Sequence, residues 1–285
     1  MNIGIVGLGL IGGSLGLDLR GCGHRVLGVS RQQLTCDRAI EFGMVDDASI
    51  DLKLLAKVDV VFVCTPIAAI MPTVQYLIPY LGSQAVITDV ASTKKAVVES
   101  VTPMWSHFVG GHPMAGTEQS GIDAAFSNLF ANKPYILTPI ETTPPDAVKI
   151  VQKLVQSLTT KVYICSPEDH DRAAAWVSHL PVMVSNSLID ACGRETNSVV
   201  LHLAQVIASS GFRDTSRVGG GNPELGMMMA RYNKHSLLRS LGAYRQSLDQ
   251  IIELVEQEDW QALEARLQQA KLERTEFVDP NKKYI

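Results

Sequence analysis

The sequence lacks the features of a membrane protein and of a nucleic-acid-binding protein. No stretch approaches the roughly 20 uninterrupted apolar residues that a membrane-spanning helix needs. The N-terminus begins with a strand pattern instead of a basic region followed by an apolar secretion segment. Lysine and arginine form no cluster, and a net charge of -4 gives no general attraction to polyanions. We therefore expect a cytoplasmic protein that binds a small molecule, and neither nucleic acid nor membranes.

The sequence also lacks the spacings that are typical of metal and disulfide sites. Its five cysteines are scattered, odd in number and free of C-x-x-C spacing, which favours reduced thiols. It contains no H-E-x-x-H pattern and no tight carboxylate cluster. We therefore expect no metal site.

What the sequence does contain is an alternation of strands and helices in its first half. This alternation predicts an α/β fold with a Rossmann-type, doubly wound, mostly parallel sheet over residues 1–165. Residues 166–285 predict an all-α domain, interrupted chiefly by a glycine-rich turn at 210–224. The predicted strands are 2–6, 25–29, 58–63, 85–88, 107–110, 135–137 and 162–165.

The first strand runs directly into the glycine pattern of a dinucleotide-binding turn. Gly7, Gly9 and Gly12 have G-x-G-x-x-G spacing, with Leu10 and Ile11 at the start of the next helix. Gly7 suits a tight turn, Gly9 lets the backbone approach a pyrophosphate, and Gly12 allows the helix to pack on the strand. Because the pattern follows the first strand of a βαβ unit, it predicts dinucleotide binding.

The end of the second strand predicts which dinucleotide is bound. An NAD site usually has an acidic residue about 20 residues after the glycines, but here Ser30 and Arg31 occupy that position. A hydroxyl and a guanidinium suit a 2'-phosphate, and Thr35 could assist from the next helical turn. The sequence therefore predicts NADP, and the alternative for Arg31 is an ordinary solvated side chain.

Two further strand ends point to the same edge of the sheet. Cys64, Thr65 and Pro66 follow one strand, and the segment ending in Ser92 follows the next. We expect Ser92 to lie beside the nicotinamide. It could also be the N-cap of a helix that begins near Thr93, and the two roles are compatible.

A histidine lies in the next segment, GGHPMAG. Two glycines and a proline flank His112, which predicts a shaped loop after a strand. Alcohol oxidation needs a group that accepts the hydroxyl proton while hydride leaves carbon, and an imidazole with a pKa of about 6.5 suits that task. The alternative is a histidine with a purely structural role. If Ser92 is close, its hydroxyl could orient the ring.

Several motifs together resemble the prephenate/arogenate dehydrogenase family of tyrosine biosynthesis, and the cyanobacterial arogenate dehydrogenases in particular. The resemblance extends over roughly residues 1–270 and is most specific outside the glycine pattern. The motifs are GLGLIGGS at 7–14, DVAS at 89–92, GGHPMAGTEQSG at 110–121, WVSHLPVMVS at 176–185 and GFRDTSRVGGGNPELG at 211–226.

The resemblance implies an NADP-dependent oxidative decarboxylation of arogenate. Hydride passes to NADP, the hydroxyl proton passes to His112, and carbon dioxide leaves behind an aromatic phenol. Since aromatisation absorbs the electrons, no metal is required. The resemblance also assigns His179 and Arg217 to substrate binding and places Thr117 near the substrate. An arginine can hold a substrate carboxylate with two hydrogen bonds.

Helical periodicity makes further predictions about the second half. His170 and His179 are nine residues apart, about 180° around a regular helix, so both should not face one site. Pro181 should kink or unwind the helix near His179. Arg213 should pair with Asp214 or with a helix C-terminus.

The choice between arogenate and prephenate stays open at this point. The two substrates differ only in an amino or a keto group, and no residue decides between them. Asp214 or Glu118 could meet the ammonium group of arogenate. Near the glycine-rich segment, Asn222 and Pro223 should begin a helix that extends to about Glu256, and a further helix should follow near 259–269.

The later helices carry more apolar surface than one sheet can cover, and the resemblance implies a homodimer formed through them. Two other functions are alternatives. A β-hydroxyacid dehydrogenase or imine reductase shares the two-part build, but the hydroxyacid enzymes need a lysine in the helical domain and none occurs between Lys161 and Lys234. A non-enzymatic NADP sensor would leave the polar residues at the sheet edge unexplained.

Overall fold

The structure is a computed structural model that describes residues 1–117 and 119–278. Strands and helices alternate in the first part of the chain, and helices follow. The elements are β1 (Asn2–Val6), α1 (Leu10–Gly21), β2 (Arg25–Val29), α2 (Gln33–Glu41), β3 (Asp47–Ser49), β4 (Val60–Val63), α3 (Ile67–Leu77), β5 (Val86–Asp89), α4 (Lys95–Val101), β6 (Phe108–Pro113), β7 (Pro134–Thr138), α5 (Pro145–Ser157), β8 (Lys161–Ile164), α6 (Pro167–Ala174), a π-helical segment (Ala175–His179), α7 (Leu180–Gly193), α8 (Ser198–Ile207), α9 (Ser210–Ser216), a 3-10 segment (Arg217–Gly220), α10 (Pro223–Tyr232), α11 (Lys234–Glu256) and α12 (Trp260–Val278).

The sheet has eight strands in the order β3-β2-β1-β4-β5-β6-β7-β8. All neighbouring strands are parallel except β6 and β7, which are antiparallel. The predicted mostly parallel, doubly wound sheet is therefore confirmed. The three-residue β3 is an additional strand at the sheet edge that the apolar patterns did not predict, because its residues Asp47–Ser49 are short and largely polar.

Helices cover both faces of the sheet. One apolar cluster contains Leu15 and Leu19 of α1 with Val151, Leu154 and Val155 of α5. The cluster on the other face contains side chains of α3 and α4, which are Ile70, Val74, Leu77, Val97, Val98 and Val101. Since parallel strands are buried on both faces, their nearly continuous apolar runs follow from this arrangement.

The helical part differs from the sequence-based expectation in two places. Residues 210–224 were expected to form a glycine-rich turn, but they contain α9 and the 3-10 segment. Residues 223–256 were expected to be one helix, and they form α10 and α11 with Asn233 between them. Asn222 is the N-cap of α10, where its side chain accepts from the Glu224 backbone NH at 2.9 Å, as the sequence predicted.

The chain forms two compact units, residues Met1–Leu237 and the segment from Leu238 onward. The first unit contains the whole sheet and helices α1 to α10. In the second, α12 contacts α11 through Arg266, whose guanidinium donates to Gln250 Oε1 at 3.0 Å and to Ser247 Oγ at 2.8 Å. Every residue discussed below as part of the site lies in the first unit.

Candidate active site

The turn between β1 and α1 has the geometry that its glycines predict. Gly7 has a φ of +100°, and a Cβ there would lie 2.7 Å from the Cys64 carbonyl oxygen. A Cβ at Gly12 would overlap the carbonyl oxygen of Gly7. A Cβ at Gly9 would meet nothing within 4 Å, so the backbone there borders open space. Gly7 and Gly12 are therefore required by the fold, whereas Gly9 leaves room for a ligand.

The same turn presents hydrogen-bond donors to that space. Gly9 is the N-cap of α1 and has no side chain that caps the helix, so the first backbone NH groups, those of Leu10, Ile11 and Gly12, are suited to a phosphate. Across the turn, Thr65 Oγ1 is buried and has no hydrogen-bond partner among the described residues. These features fit a dinucleotide whose pyrophosphate lies over the turn.

The predicted NADP-selecting residues follow β2. Ser30 is half-buried, and its hydroxyl accepts from the Gln32 backbone NH at 3.5 Å. Arg31 is exposed, and Thr35 lies half-buried in the first turn of α2. The three residues thus lie in the segment that follows the carboxyl end of β2.

His112 lies within a strand, which corrects the expectation of a loop. It belongs to β6 and pairs with Ile136 of the antiparallel β7. Its glycine neighbours are needed for close packing: a Cβ at Gly111 would lie 2.7 Å from the Asp89 carbonyl oxygen, and one at Gly110 would overlap Thr138 Oγ1. The glycine pair therefore lets β6 lie tightly against β5 and β7, and His112 is 7% exposed.

A buried ion pair binds the backbone of β6 next to His112. Lys94 and Asp89 are fully buried, and the lysine Nζ donates to Asp89 Oδ2 and, at 2.6 Å, to the carbonyl of Gly111. Asp89 Oδ1 accepts from the Gly111 backbone NH at 3.1 Å. Both backbone polar groups of the residue before His112 are thus bound to this pair. Burial lowers the pKa of Lys94, while Asp89 opposes that shift.

The ring of His112 is held by a second histidine. His112 Nδ1 lies 2.8 Å from His170 Nε2, and His170 Nδ1 lies 2.8 Å from Asp171 Oδ1. The two rings meet edge to face, with centroids 5.0 Å apart. Since Nδ1 of His112 is engaged, Nε2 is the nitrogen through which this ring can exchange a proton with a substrate.

Asp171 also caps helix α4. Its carboxylate accepts from the backbone NH of Lys94 at 2.6 Å and of Lys95 at 3.0 Å. The prediction that Ser92 is the N-cap is therefore wrong, because an acidic residue from a distant segment performs that task at a helix that begins at Lys95. His170 occupies the ring position at which Ser92 was expected to orient His112. That Ser92 lies beside the nicotinamide stays a prediction.

The π-helical segment brings His179 to the same cluster as His170. The expectation that the two face opposite sides is wrong, because the segment Ala175–His179 winds with one extra residue per turn. Because the wider turn takes up one extra residue, the nine residues between the two histidines rotate the chain like eight residues of a regular helix. The angle between the two side chains is then roughly 80° instead of 180°. Pro181 lacks an NH group and so cannot complete a regular α-helical bond, which favours this irregular winding nearby.

His179 is fully buried, and its two ring nitrogens differ. Asn233 Nδ2 lies 3.2 Å from Nδ1 and also donates to the Asp171 carbonyl at 2.7 Å. Nε2 makes no hydrogen bond of normal geometry with the described residues. A buried ring nitrogen of this kind is suited to a ligand atom. Burial lowers the pKa of His179 to about 4, with Asp171 and the Ser92 backbone raising it and His170 lowering it.

The same surroundings keep His112 neutral. Its pKa lies well below 6.5, chiefly because of burial and further because of His170, Lys94 and His179. A neutral imidazole is the form that can accept a proton. The cluster therefore presents a base that is ready to act at neutral pH.

Other predicted substrate residues lie further along the chain. Arg217 begins the 3-10 segment, which packs against α7; a Cβ at Gly219 in that segment would lie 2.5 Å from the Asn186 backbone nitrogen. Thr117 is exposed, and its hydroxyl accepts from the Gln119 backbone NH at 3.2 Å. The roles of Arg217 and Thr117 in binding stay predictions.

The two candidates for the ammonium group have different outcomes. Asp214 lies 3.5 Å from the Arg213 side chain in an exposed ion pair, which is the pairing that the sequence predicted. Glu118 lies outside the described residues.

Within residues 1–117 and 119–278, no group of three or more histidine, cysteine or acidic side chains is placed to hold a metal ion. In that same part of the chain, no helix is long and apolar enough to cross a membrane.

Sequence reasoning missed four residues of the cluster: Asp89 and Lys94 as an ion pair, Asp171, and Asn233. Each makes its contacts with residues far away in the chain, so no local spacing marks it. One signal was present, since Asp89 is a charged residue at the end of a largely apolar strand and belongs to the DVAS motif. Complete burial of such groups is uncommon without a partner.

Family models match two consecutive parts of the chain. Residues 15–164 match the family model for the nucleotide-binding domain of prephenate dehydrogenase, and residues 166–269 match the model for its dimerization domain. Prephenate dehydrogenase of Bacillus subtilis is 33% identical over 262 residues, which are 90% of this chain and 70% of that protein.

Solved structures show the same fold. Arogenate dehydrogenase of Synechocystis is 55% identical, with a TM-score of 0.89 over 98% of this chain and 100% of that chain. Prephenate dehydrogenase of A. aeolicus, solved in complex with hydroxyphenyl propionate and NAD+, is 28% identical. Its TM-score is 0.92 over 97% of this chain and 98% of that chain.

Proposed function

Because the chain belongs to the prephenate dehydrogenase family, we propose that it oxidises and decarboxylates arogenate to tyrosine with NADP. The observation that carries the proposal is the buried neutral His112, whose Nδ1 is bound by His170 and whose Nε2 is left to act on a hydroxyl group. For either substrate, the chain is an enzyme of the prephenate/arogenate dehydrogenase class that uses a nicotinamide nucleotide.

The reaction uses the cluster as follows. A nicotinamide nucleotide, held by the turn at Gly7, Gly9 and Gly12, supplies the acceptor for hydride. His112 Nε2 accepts the hydroxyl proton of the substrate, and the bond between the ring carbon and the carboxylate breaks as the ring becomes aromatic. The low pKa of His112 keeps it unprotonated until the substrate arrives. Ser92, three residues after the end of β5, is proposed as a second contact to the reacting hydroxyl.

Substrate binding is proposed for His179, Arg217 and Thr117. His179 has a buried ring nitrogen without a hydrogen bond in the described structure, which a substrate oxygen can satisfy. Arg217 can hold a carboxylate of the substrate with a charge-assisted, two-point contact. We retain residues 1–165 as the nucleotide-binding domain and 166–285 as the substrate-binding and dimerisation domain, and we place the protein in the cytoplasm.

The preference for arogenate is supported by the similarity to the Synechocystis enzyme, at 55% identity. The second candidate is prephenate, oxidised to 4-hydroxyphenylpyruvate with NAD or NADP. It is favoured by the match to the prephenate dehydrogenase of Bacillus subtilis, at 33% identity.

Initial rates with the four combinations of substrate and nucleotide test the proposal. We expect the largest kcat/KM with arogenate and NADP, measured as nicotinamide absorbance. A larger value with prephenate would favour the second candidate. Failure to reduce nucleotide with either substrate would remove both.

The preference for NADP is attributed to Ser30, Arg31 and Thr35. Arg31→Ala should weaken NADP binding by about 1 to 3 kcal/mol and leave NAD binding nearly unchanged, because only NADP carries the 2'-phosphate. Arg38→Ala is the matched control, since Arg38 lies in the helix that follows Arg31, α2, but pairs with Asp123 at 2.6 Å. Equal losses for both nucleotides in Arg31→Ala would contradict the assignment.

A homodimer is proposed through the helices after residue 166. Within the described first unit, none of residues 198–207 is buried, and Val199, Val206 and Ile207 are 75%, 67% and 66% exposed. An apolar helix with this exposure is typical of an association surface. Sedimentation should give a dimer for the wild type and a monomer for Val206→Glu, and a monomeric wild type would refute the proposal.

A further inference from the structure

The hydrogen bonds around Asp171 have a fixed direction. An ionised carboxylate can only accept, so Asp171 Oδ1 accepts from Nδ1–H of His170 at 2.8 Å. A neutral His170 then has its lone pair on Nε2, which accepts from Nδ1–H of His112 at 2.8 Å. His112 therefore has its own lone pair on Nε2, the nitrogen that faces no described partner.

A second series of bonds begins at the backbone of the same residue. The Asp171 carbonyl can only accept, and it accepts from Asn233 Nδ2 at 2.7 Å. The other hydrogen of that amide nitrogen is directed at His179 Nδ1, 3.2 Å away. A ring nitrogen that accepts carries no proton, so neutral His179 carries its proton on Nε2, the buried atom without a described hydrogen bond.

We propose that Asp171 is a positioning residue that sets the two site histidines in opposite tautomers, with His112 Nε2 as an acceptor and His179 Nε2 as a donor. The inference rests on the proposed function, in which His112 is the base. His170 and Asn233 transmit the effect, and neither needs to touch the substrate.

Opposite tautomers make the two rings chemically different although both are buried and neutral. His112 Nε2 forms a bond to the hydroxyl proton as the O–H bond breaks, and the electron pair of that bond becomes part of the new carbonyl or phenol oxygen. His112 then carries a positive charge, which Asp171 offsets through His170. His179 keeps its proton and donates a hydrogen bond to a substrate oxygen. If His112 were protonated on Nε2, it could not accept the proton at all.

Other charged groups near the rings are already engaged. Lys94 Nζ is bound to Asp89 and to the Gly111 carbonyl, so it does not compete for a ring nitrogen. Its charge acts on His112 by lowering the pKa. Asp171 also stays in place for an independent reason, since its carboxylate caps α4 at the Lys94 and Lys95 backbone NH groups.

The tautomers can be read directly by NMR of the full-length protein labelled with ¹⁵N-histidine at pH 8, without nucleotide or substrate. Long-range ¹H–¹⁵N spectra distinguish a protonated from an unprotonated ring nitrogen, and His112→Asn and His179→Gln assign the signals. We expect His112 to carry hydrogen on Nδ1 and His179 on Nε2. Finding either histidine in the other tautomer, or His112 with both nitrogens protonated, would overturn the proposal.

Two substitutions of His170 separate the tautomer effect from loss of folding. His170→Gln places an amide oxygen where it can still accept from His112 Nδ1–H, whereas His170→Leu offers no acceptor. We expect His112 to keep the Nδ1–H form in the glutamine variant and to move mainly to the Nε2–H form in the leucine variant. An unchanged tautomer in a folded His170→Leu would overturn the proposal. His107→Gln, at the other end of β6, is the control and should change neither signal.

The kinetic readout is a split between kcat and KM, with rescue by the conservative variant. We expect kcat to fall at least about tenfold more in His170→Leu than in His170→Gln, because a base contributes about 10²- to 10⁴-fold and loses that contribution in the wrong tautomer. KM and nucleotide affinity should stay within about twofold. Equal kcat values in the two variants would overturn the inference.

The result is distinguishable from a failure of the proposed function. If His112→Asn abolishes turnover but the tautomer of His112 is unchanged in His170→Leu, the inference fails and His112 remains the base. If His112→Asn keeps wild-type turnover, the assignment of the base fails, and the inference that depends on it fails too.

Discussion

The nucleotide-binding turn and the histidine cluster lie at the same edge of the sheet but are built from different material. The turn is made of backbone atoms within residues 7–12, and its requirements are small side chains and free NH groups. The cluster is made of buried side chains from β5, β6, α6, the π-helical segment and Asn233. The difference teaches that one site depends on local conformation, whereas the other depends on the packing of the whole first unit.

The largest effect is expected at the centre of the cluster. His112→Asn should lower kcat by about 10²- to 10⁴-fold, because an amide cannot accept the hydroxyl proton. Nucleotide affinity, measured by fluorescence titration, should stay within about twofold, since the turn is formed by other residues. Turnover close to that of the wild type would show that the histidine cluster does not contain the catalytic base.

The next effect concerns stability. Lys94→Met should lower the free energy of unfolding by about 3 to 5 kcal/mol in chemical denaturation, because it leaves the carboxylate of Asp89 buried without its partner. Lys95→Met is the matched control: its ion pair with Glu168 is exposed and 3.8 Å long, and exposed pairs contribute about 0 to 1 kcal/mol. Similar losses in the two variants would mean that the buried pair has no special part in the fold.

Two glycine substitutions separate the part of the turn that the fold requires from the part that nucleotide binding requires. Gly12→Ala should destabilise the protein by about 1 to 3 kcal/mol, because its Cβ would overlap the Gly7 carbonyl. Gly9→Ala should fold normally, because its Cβ enters open space, yet it should weaken nucleotide binding about tenfold. Thermal melts and nucleotide titrations check both results, and a Gly9→Ala protein with unchanged affinity would contradict the placement of the pyrophosphate.

The last effect is a pH dependence of stability. Burial holds the pKa of His112 and of His179 below the value of about 6.5 in an unfolded chain, so between the two values the unfolded state binds more protons. The contribution of these histidines to the free energy of unfolding is therefore fully present above pH 6.5 and is lost as the pH falls. For His179 the loss continues down to about pH 4. Each histidine contributes a slope of about 1.4 kcal/mol per pH unit.

Denaturation at pH 7.5, 6.5 and 5.5 measures that slope. His112→Asn should make it shallower by the contribution of one histidine, whereas His24→Gln, at an exposed loop, should change it much less. An equal slope in His112→Asn and the wild type would show that the folded protein accommodates a protonated ring at this position.

The same difference explains what the sequence could predict. Gly7, Gly9 and Gly12 act within a short segment, so their spacing after the first strand predicted the turn. The alternation of strands and helices predicted the mostly parallel sheet. His112 and His179 were found through motifs. Regular helical geometry then placed His170 on the wrong side, because periodicity assumes 3.6 residues per turn and the π-helical segment departs from it.

Other features depend on partners that no local pattern identifies. The side chain that caps the N-terminus of α4 comes from Asp171, 76 positions beyond Lys95, and not from the nearby Ser92. The role of Asn233 became visible only from its bonds to Asp171 and His179. Strand β3 was missed because its three residues carry too little apolar signal.

The wide turn at Ala175–His179 has an evolutionary consequence. One codon inserted into an ordinary α-helix would rotate everything beyond it by about 100° and could bring two histidines from opposite sides to a common centre. The loss of one codon from this stretch would reverse that rotation. An alignment of relatives should therefore allow a one-residue gap in this helix. Two chains whose helices differ in length by one residue here need not present the same side chains to the substrate.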